Sequence, residues 1–274
     1  MKKNSVVRLT ESGILLAFAI VLSFVKLVDL PFGGSITACS MLPIALIAYR
    51  HGTAWGLLSA FAFSLVQLLD GMKNLQFATS VWAVLAIILL DYIIAFVVLG
   101  LCGVFRKVIP HQGGALTAGL LLACFVRYLC HVISGCTVWA GISIPTVDGL
   151  LFSMAYNATY MIPETLICII GAVYVSRLLD FRGESLTRTV VQRRLTPVGA
   201  GLSAATLLGA AAGAVTLVAH VFATIQGESG FDITQLAHLS PLVTGISAAV
   251  IVVCLGLNLL VKRLCANTTE SAAQ

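Results

Sequence analysis

The fold is decided by residues 127–164, which read RYLCHVISGCTVWAGISIPTVDGLLFSMAYNATYMIPE. This stretch lies among apolar runs, yet it holds an arginine, a histidine, a tryptophan, an asparagine, three tyrosines and a glutamate. Polar groups in hydrocarbon are costly, and they are usually kept where they line a cavity or pair with one another. We therefore expect this stretch to supply much of a small-molecule site inside a membrane protein.

The composition of the whole chain is that of a membrane protein. Of its 274 residues, 59% are hydrophobic and 10% are charged, and the mean hydropathy is +1.03. A soluble globular domain would carry about a quarter charged residues, whereas apolar runs of about 17–25 residues are typical of membrane-spanning helices. The composition therefore excludes a soluble domain and predicts an all-α polytopic protein in a lipid bilayer.

The apolar runs predict eight helices in three parts. Residues 1–180 are expected to form a six-helix substrate-binding membrane domain, 181–197 a basic cytoplasmic linker, and 198–274 a two-helix membrane extension. The predicted helices cover residues 10–28, 36–49, 54–69, 77–105, 115–134, 150–179, 198–223 and 242–261. We interpret the N-terminal segment as the first helix rather than a cleaved signal peptide, because no small-residue cleavage site precedes the next span.

The positive charges predict the orientation of these helices. The formal net charge is +5, but the basic residues lie at the ends of apolar runs and do not form a surface for nucleic acid. Placing the N-terminus in the cytoplasm puts most of the 16 lysines and arginines on the inner side, as the positive-inside rule expects. This predicts a multi-pass protein of a bacterial plasma membrane with both termini cytoplasmic.

Neither the cysteines nor any sequence motif predicts a cofactor or catalysis. The eight cysteines form no CxxC pair and fall mostly in apolar runs, so we expect small buried hydrophobes rather than metal ligands. The sequence has no GxxxxGK[ST] phosphate-binding loop. We therefore expect a protein that is not an enzyme, with no metal, and with any ATP chemistry supplied by partners.

Three sets of polar side chains are candidates for a ligand site. Asp91 lies near the middle of the longest apolar run, where a carboxylate must be paired, protonated or directed at a cationic ligand. Arg127 and His131 stand four residues apart and share a helix face. The third set also follows helical spacing, and it comprises Tyr156, Asn157, Tyr160 and Glu164.

Two interpretations of these residues remain open. Polar side chains also join helices through hydrogen bonds, and Arg127 could form a structural pair with Asp91 or Glu164. Trp139 could be an interfacial anchor or an aromatic wall over a cavity. A carboxylate with aromatic faces suits a planar cation, and His131 and Asn157 would add directional hydrogen bonds.

In sequence order, six motifs carry a family resemblance across residues 8–180. They are LPFGGSIT, SMLPI, YRHG, LLDYIIAF, RYLCHVISG and YNATYMIPE. With them the chain resembles the thiamine-specific S components of energy-coupling-factor (ECF) vitamin transporters. The resemblance implies six helices, a thiamine site near the extracellular side, and delivery of the vitamin in complex with a transmembrane coupling subunit and two ATPase subunits. The last two helices are not covered by it.

The resemblance also implies roles for particular residues. Asp91, followed by Tyr92, would face the thiazolium or the aminopyrimidine of thiamine or a close analogue, and Trp139 would stack on the ligand. His131 and Asn157 match further binding motifs, with Tyr156 and Tyr160 beside them. On the first helix, two small residues spaced by four, Gly13 and Ala17, would contact the coupling subunit.

The chain also departs from the family pattern. Some members have a tryptophan where this chain has Gly33, Gly34 and Ser35, and a tyrosine where it has Phe152. Many carry a polar run before the acidic residue, where this chain reads ATSVWAVLAIIL.

Three other hypotheses about function are consistent with the polar residues and the last two helices. One is a self-sufficient, proton-coupled carrier that uses Asp91, His131 or Glu164 as a relay. Another is a membrane enzyme that uses His131 with Cys130 or Cys136. The third concerns helices 7 and 8 alone, whose Gly/Ala-rich faces suit an interaction module.

Overall fold

A computed structural model describes residues 2–30, 33–78, 80–139, 147–183, 186–188, 193–227, 230–231 and 233–268. The chain divides into two compact units, Met1–Thr189 (unit 1) and Val190–Gln274 (unit 2). The division falls within the predicted linker, and the three-part boundaries given above stay a prediction.

Unit 1 is a helical bundle with two short strand pairs. Its helices are α1 (Lys2–Phe24), α2 (Met41–His51), α3 (Thr53–Gly71), α4 (Val81–Lys107), α5 (Gln112–Ser134) and α6 (Val147–Leu178). Strands β1 (Lys26–Asp29) and β2 (Ser35–Thr37) pair antiparallel, as do β3 (Leu179–Asp180) and β4 (Thr187–Arg188). A 3₁₀ segment, Met72–Phe77, follows α3.

Unit 2 is a helical hairpin closed by short strands. Helices α7 (Pro197–Ile225) and α8 (Pro241–Leu264) pack against each other. The paired strands are β5 (Arg193–Leu195) with β8 (Ala266–Thr268), and β6 (Gln226–Gly227) with β7 (Gly230–Phe231). The 3₁₀ segment Ile233–His238 precedes α8.

Seven helices in the described part of the chain are long and apolar enough to cross a membrane, and α2 is the exception. It has 11 residues, which give a length of about 16 Å against a hydrocarbon core of about 30 Å. The all-α, multi-pass membrane fold predicted from composition is confirmed, with α2 as a short internal helix.

Helix α2 forms the core of unit 1. Residues Met41–Tyr49 are all buried, and α2 packs against α1, α3, α4, α5 and α6. Close backbone approach between the surrounding helices depends on glycine, because a Cβ on Gly100 would collide with the Leu57 backbone and one on Gly119 with the Cys102 carbonyl. Such approach tightens a bundle in lipid, where packing rather than the hydrophobic effect holds helices together.

The β1–β2 hairpin corrects two predicted helix boundaries. The first helix ends at Phe24 rather than residue 28, and the second begins at Met41 rather than residue 36. Lys26 pairs with Thr37 and Asp29 with Ser35 in the hairpin. Short apolar runs do not distinguish strand from helix by periodicity, so these residues were absorbed into the helices in the sequence-based prediction.

At the C-terminal end of α2, arginine side chains join several elements of unit 1. Arg50 donates from Nε and Nη2 to the Glu11 carboxylate, both at 2.8 Å, and from Nη1 to the Phe181 carbonyl at 3.0 Å. Arg106 Nη1 donates to the carbonyls of Tyr49 and Arg50. These contacts join α1, α2, α4 and the segment after α6.

Candidate ligand-binding site

A cavity of about 880 Å³ lies inside unit 1, between the β1–β2 hairpin and helices α3 to α6. This volume is in the range of sites for drug-sized ligands, about 300–1,000 Å³. The predicted residues that line it are Asp91, Tyr92, His131, Tyr156, Asn157 and Tyr160. The structure thus brings side chains from three helices to one cavity, and their contact with a ligand stays a prediction.

The Asp91 carboxylate is held by α5 at both oxygens. Its Oδ1 lies 2.9 Å from His131 Nδ1, and its Oδ2 accepts a hydrogen bond from Ser134 Oγ at 2.6 Å. Asp91 lies in a π-helical segment of α4, Ile88–Ile94. Such segments are frequent at functional sites, because the wider turn redirects side chains.

His131 keeps one ring nitrogen available for a ligand. Its Nδ1 is engaged by Asp91, whereas its Nε2 is buried and has no hydrogen-bond partner among the described residues. A buried polar atom without a partner is costly. A ligand that hydrogen bonds to Nε2 would remove that cost.

Asn157 connects the two sides of the site. Its Nδ2 donates to the Ser153 carbonyl at 2.8 Å and to the His131 carbonyl at 3.3 Å. Its Oδ1 accepts a hydrogen bond from the Tyr160 hydroxyl. Asn157 therefore fixes α6 against α5 at the level of His131.

Aromatic rings of α6 form one wall of the cavity. The rings of Phe152 and Tyr156 are stacked, with centroids 6.2 Å apart and an interplanar angle of 5°. Tyr156 and Tyr160 meet edge to face, with centroids 5.8 Å apart. The spacing by four places these rings on one helix face, next to the carboxylate of Asp91.

The β1–β2 hairpin closes against this wall at Gly34. The Gly34 N–H donates to the Tyr156 hydroxyl at 3.1 Å. A Cβ at Gly34 would lie 2.8 Å from both Tyr156 Oη and Tyr160 Cδ1. Gly34 therefore lets the hairpin backbone approach the rings closely.

Tyr92 contacts the end of α3. Its hydroxyl donates to the Gly71 carbonyl at 3.1 Å and accepts from Asn74 Nδ2 at 2.9 Å. Tyr92 therefore joins α4 to α3 at the cavity edge, and its ring remains part of the lining.

An ion pair with further hydrogen bonds lines part of the cavity. Arg127 Nη1 lies 3.4 Å from Glu164 Oε2, and both side chains are buried. Glu164 Oε1 accepts from Thr37 Oγ1 at 2.6 Å, and the Arg127 guanidinium lies 4.2 Å from the Phe96 ring centroid. Of the two partners that the sequence left open for Arg127, the structure selects Glu164.

Charged residues also join the hairpin to α3. Lys26 Nζ lies 3.7 Å from Asp29 and 3.8 Å from Asp70. These three residues and Lys73 line the cavity. Lys26 therefore joins β1 to the end of α3.

Several residues in and around the cavity were missed by sequence reasoning. Ser134 and Ser153 contact Asp91 and Asn157, but single serines in apolar helices carry no pattern that separates them from ordinary packing residues. Lys26 and Asp70 could have been found, because each is a charge at the end of an apolar run.

The remaining predicted residues lie elsewhere. Trp139 ends a π-helical segment, Gly135–Trp139, directly after α5, and its side chain is outside the described part of the structure. Gly13 and Ala17 are exposed on α1, and a Cβ on Gly13 would meet no atom within 4 Å. Among the described residues no cluster of three or more His, Cys, Asp or Glu side chains could hold a metal ion.

Comparison with known proteins identifies relatives of unit 1. Residues 9–180 match the family described as thiamine transporter protein. The thiamine transporter ThiT of Bacillus subtilis is 33% identical over 180 residues, covering 62% of this chain and 90% of the relative. ThiT of Lacticaseibacillus paracasei is 24% identical over 183 residues, covering 61% and 85%.

A solved structure has the same fold. ThiT from Listeria monocytogenes superposes with a TM-score of 0.51 at 22% identity, covering 63% of this chain and 94% of that one. At this identity the likeness shows the fold alone. The resemblance inferred from the six motifs is confirmed by the family match.

Proposed function

The chain belongs to the thiamine transporter protein family, and on that premise we propose that it binds thiamine in the cavity of unit 1 as the substrate-binding subunit of an ECF importer. Thiamine uptake is the function of the family by its description. The proposal further includes coupling of this subunit to an ECF module.

One observation carries the proposal: the Asp91 carboxylate lies in the same cavity as the stacked rings of Phe152 and Tyr156. Thiamine combines a cationic thiazolium with an aminopyrimidine. A carboxylate in surroundings of low polarity attracts such a cation far more strongly than in water, and aromatic faces add cation–π contact. These features favour a flat aromatic cation over a neutral or anionic ligand.

The roles follow from the contacts. Asp91 would face the thiazolium or the aminopyrimidine, and His131 would hydrogen bond through Nε2. Tyr156, Tyr160 and Asn157 would shape the wall against the rings, Tyr92 would hold the cavity edge, and Trp139 would stack from outside.

The partner subunits and the membrane orientation of the protein are proposed from the family resemblance and from the positions of small and basic residues. As the family resemblance implies, we assign ATP hydrolysis to two ATPase subunits and energy transfer to a transmembrane coupling subunit. The exposed small residues Gly13 and Ala17 would let a helix of that subunit approach α1 closely. We further propose that the β1–β2 hairpin and the short α2 together return the chain across the membrane, which adds an eighth crossing to the seven long helices. Both termini would then lie in the cytoplasm, as the positive-inside rule predicts, and the end of α1 would lie on the outer side.

Ligand binding tests the substrate. The purified full-length protein is titrated with thiamine while intrinsic tryptophan fluorescence and the melting temperature are followed, with riboflavin and biotin as controls. Thiamine at micromolar concentration should change both signals and the controls neither. No response to thiamine would contradict the substrate assignment.

Uptake tests the energy source. Vesicles containing the protein alone are compared with vesicles that also hold the coupling subunit and the ATPases. We expect thiamine accumulation only with the complete complex and ATP. Accumulation by the protein alone, driven by a pH gradient, would instead support the proton-coupled carrier.

A further inference from the structure

The described side chains that line the cavity of unit 1 carry a small excess of negative charge. The lining includes four carboxylates, from Asp29, Asp70, Asp91 and Glu164. It also includes three side chains that are positive at neutral pH, from Lys26, Lys73 and Arg127. With a neutral imidazole at His131, these side chains sum to one net negative charge. That charge balances one monovalent cation, and protonation of His131 would cancel it.

The Asp91 carboxylate is the one that His131 can neutralise. Most other charges of the lining lie beside a charge of opposite sign, as in the pairs of Lys26 with Asp29 and Asp70 and of Arg127 with Glu164. Asp91 instead contacts His131 Nδ1 at 2.9 Å and the neutral Ser134 hydroxyl at 2.6 Å. The charge on His131 therefore decides whether Asp91 has a positive group within hydrogen-bond distance on α5.

The contacts of His131 leave one position for an added proton. Because Nδ1 faces a carboxylate, which accepts hydrogen bonds, the single ring proton of a neutral imidazole belongs on Nδ1. Nε2 is then an acceptor, and it is buried without a hydrogen-bond partner among the described residues. A second proton would enter at Nε2 and turn the ring into a cation beside Asp91.

The other titratable and charged groups near His131 lie on three helices. They are Tyr92 on α4, Arg127 and Cys130 on α5, and Tyr156, Tyr160 and Glu164 on α6. Arg127 and Glu164 pair with each other, and the Tyr160 ring meets the imidazole edge to face, with centroids 6.1 Å apart. The carboxylate in contact with the imidazole is that of Asp91, so a proton on His131 acts first on Asp91.

We propose that a proton on His131 and the thiamine cation are alternative partners of Asp91, so that the cavity binds thiamine with His131 neutral. This inference rests on the function proposed above, because it requires thiamine in this cavity. Two positive charges beside one carboxylate repel each other more strongly in surroundings of low polarity than in water. Histidine is the side chain whose charge ordinarily changes between about pH 5 and 8. The affinity for thiamine should therefore rise with pH through this range and then level off.

Calorimetric titration of the full-length protein in detergent, repeated across the range from about pH 5 to 8, tests this linkage. At an acidic pH, parallel titrations in two buffers with different protonation enthalpies count the protons released. The wild type should lose roughly tenfold in affinity per pH unit on the acid side and release roughly one proton as thiamine binds.

The variant H131N tests whether His131 is the group that titrates. Asparagine can still donate from its amide to Asp91, but it takes up no proton in this range. Its affinity for thiamine should change by less than about twofold over the same pH range, without proton release. The matched control is H111N, because His111 caps α5 by accepting from the Gly114 N–H at 3.0 Å and asparagine is also a good helix cap. H111N should keep the pH dependence of the wild type.

The outcomes separate this inference from the proposed function. Thiamine binding by the wild type with no dependence on pH and no proton release would overturn the inference and leave the proposed function standing. A pH dependence that persists in H131N would also overturn it, because another group would then titrate. Absence of thiamine binding at every pH would overturn the proposed function and this inference together.

Discussion

Asp91 is held by two neighbours on α5, and the shorter contact comes from Ser134. The Ser134 hydroxyl donates to Oδ2 at 2.6 Å and is fully buried. A hydrogen bond to a charged group in a buried site fixes its geometry and is worth about 1.5–3 kcal/mol. Ser134 therefore positions the carboxylate that we assign to the ligand.

Replacing Ser134 by alanine tests this positioning role. We expect S134A to weaken thiamine binding by roughly tenfold, because the carboxylate loses its fixed orientation. In a D91N background the same substitution should change affinity by less than about twofold, since its effect passes through the carboxylate. Isothermal titration calorimetry of the wild type, S134A, D91N and the double variant measures the coupling free energy between Ser134 and Asp91.

The control for this double-mutant cycle is Ser64, a buried serine that donates to the Phe61 carbonyl within α3. S64A should leave affinity unchanged. An equal loss from S134A with and without the Asp91 carboxylate would show that Ser134 acts on packing alone.

At the residue scale, the sequence predicted which side chains line the cavity better than how they pair. Asp91 and His131 were found because charged and polar residues are rare in apolar runs. Their pairing, and the choice of Glu164 for Arg127, depend on the rotation of three helices about their axes. That rotation is set by packing contacts distant in sequence, such as Gly119 against Cys102.

At the scale of elements, the β1–β2 hairpin closes the cavity. It contacts α6 through the Gly34 N–H and the Tyr156 hydroxyl, and it contacts α3 through Lys26 and Asp70. Gly34 allows this because any side chain there would overlap the tyrosines.

We expect G34A to displace the hairpin from α6. The added methyl group would lie 2.8 Å from Tyr156 Oη and Tyr160 Cδ1, and such overpacking costs about 1–3 kcal/mol. Thermal unfolding followed by circular dichroism should show a lower melting temperature, and thiamine affinity should fall with it.

A matched control is G245A, because a Cβ at Gly245 meets no atom within 4 Å. This substitution should leave the melting temperature unchanged or raise it, since alanine favours a helix. If G34A melts like the wild type, the hairpin does not pack on α6 as described.

The helices themselves were predictable, but the irregular elements were not. Seven long helices follow from apolar runs of membrane length. The hairpin and the π-helical segment around Asp91 leave no periodic signal, because the seven residues ILLDYII have the same pattern as an α-helix. These irregular elements nevertheless direct Asp91 and Gly34 to the cavity.

At the scale of the molecule, the site belongs entirely to unit 1. Every residue that lines the 880 Å³ cavity lies before Thr189. In unit 2, α7 and α8 are joined by Asn258, whose Nδ2 donates to Ser203 and Thr206. Each unit has its own internal contacts, as independently folding domains do.

A chain of residues 1–189 should therefore bind thiamine with an affinity within about twofold of the full-length protein, because every described residue that lines the cavity lies in unit 1. Calorimetry on both proteins in the same detergent gives the comparison. Loss of binding in a truncated protein that still unfolds cooperatively would assign part of the site to unit 2.

The central claim, that the Asp91 carboxylate binds the thiamine cation, is tested most directly by the affinity of D91N. We expect a loss of about 1.5–3 kcal/mol, or roughly tenfold to a hundredfold, because asparagine keeps the shape and removes the charge. The control D180N alters a carboxylate in β3, where the Arg182 N–H holds the pKa of Asp180 below its ordinary value, and it should bind like the wild type. Calorimetric titration of the three proteins with thiamine decides the matter: a D91N protein that binds thiamine as tightly as the wild type would contradict the account.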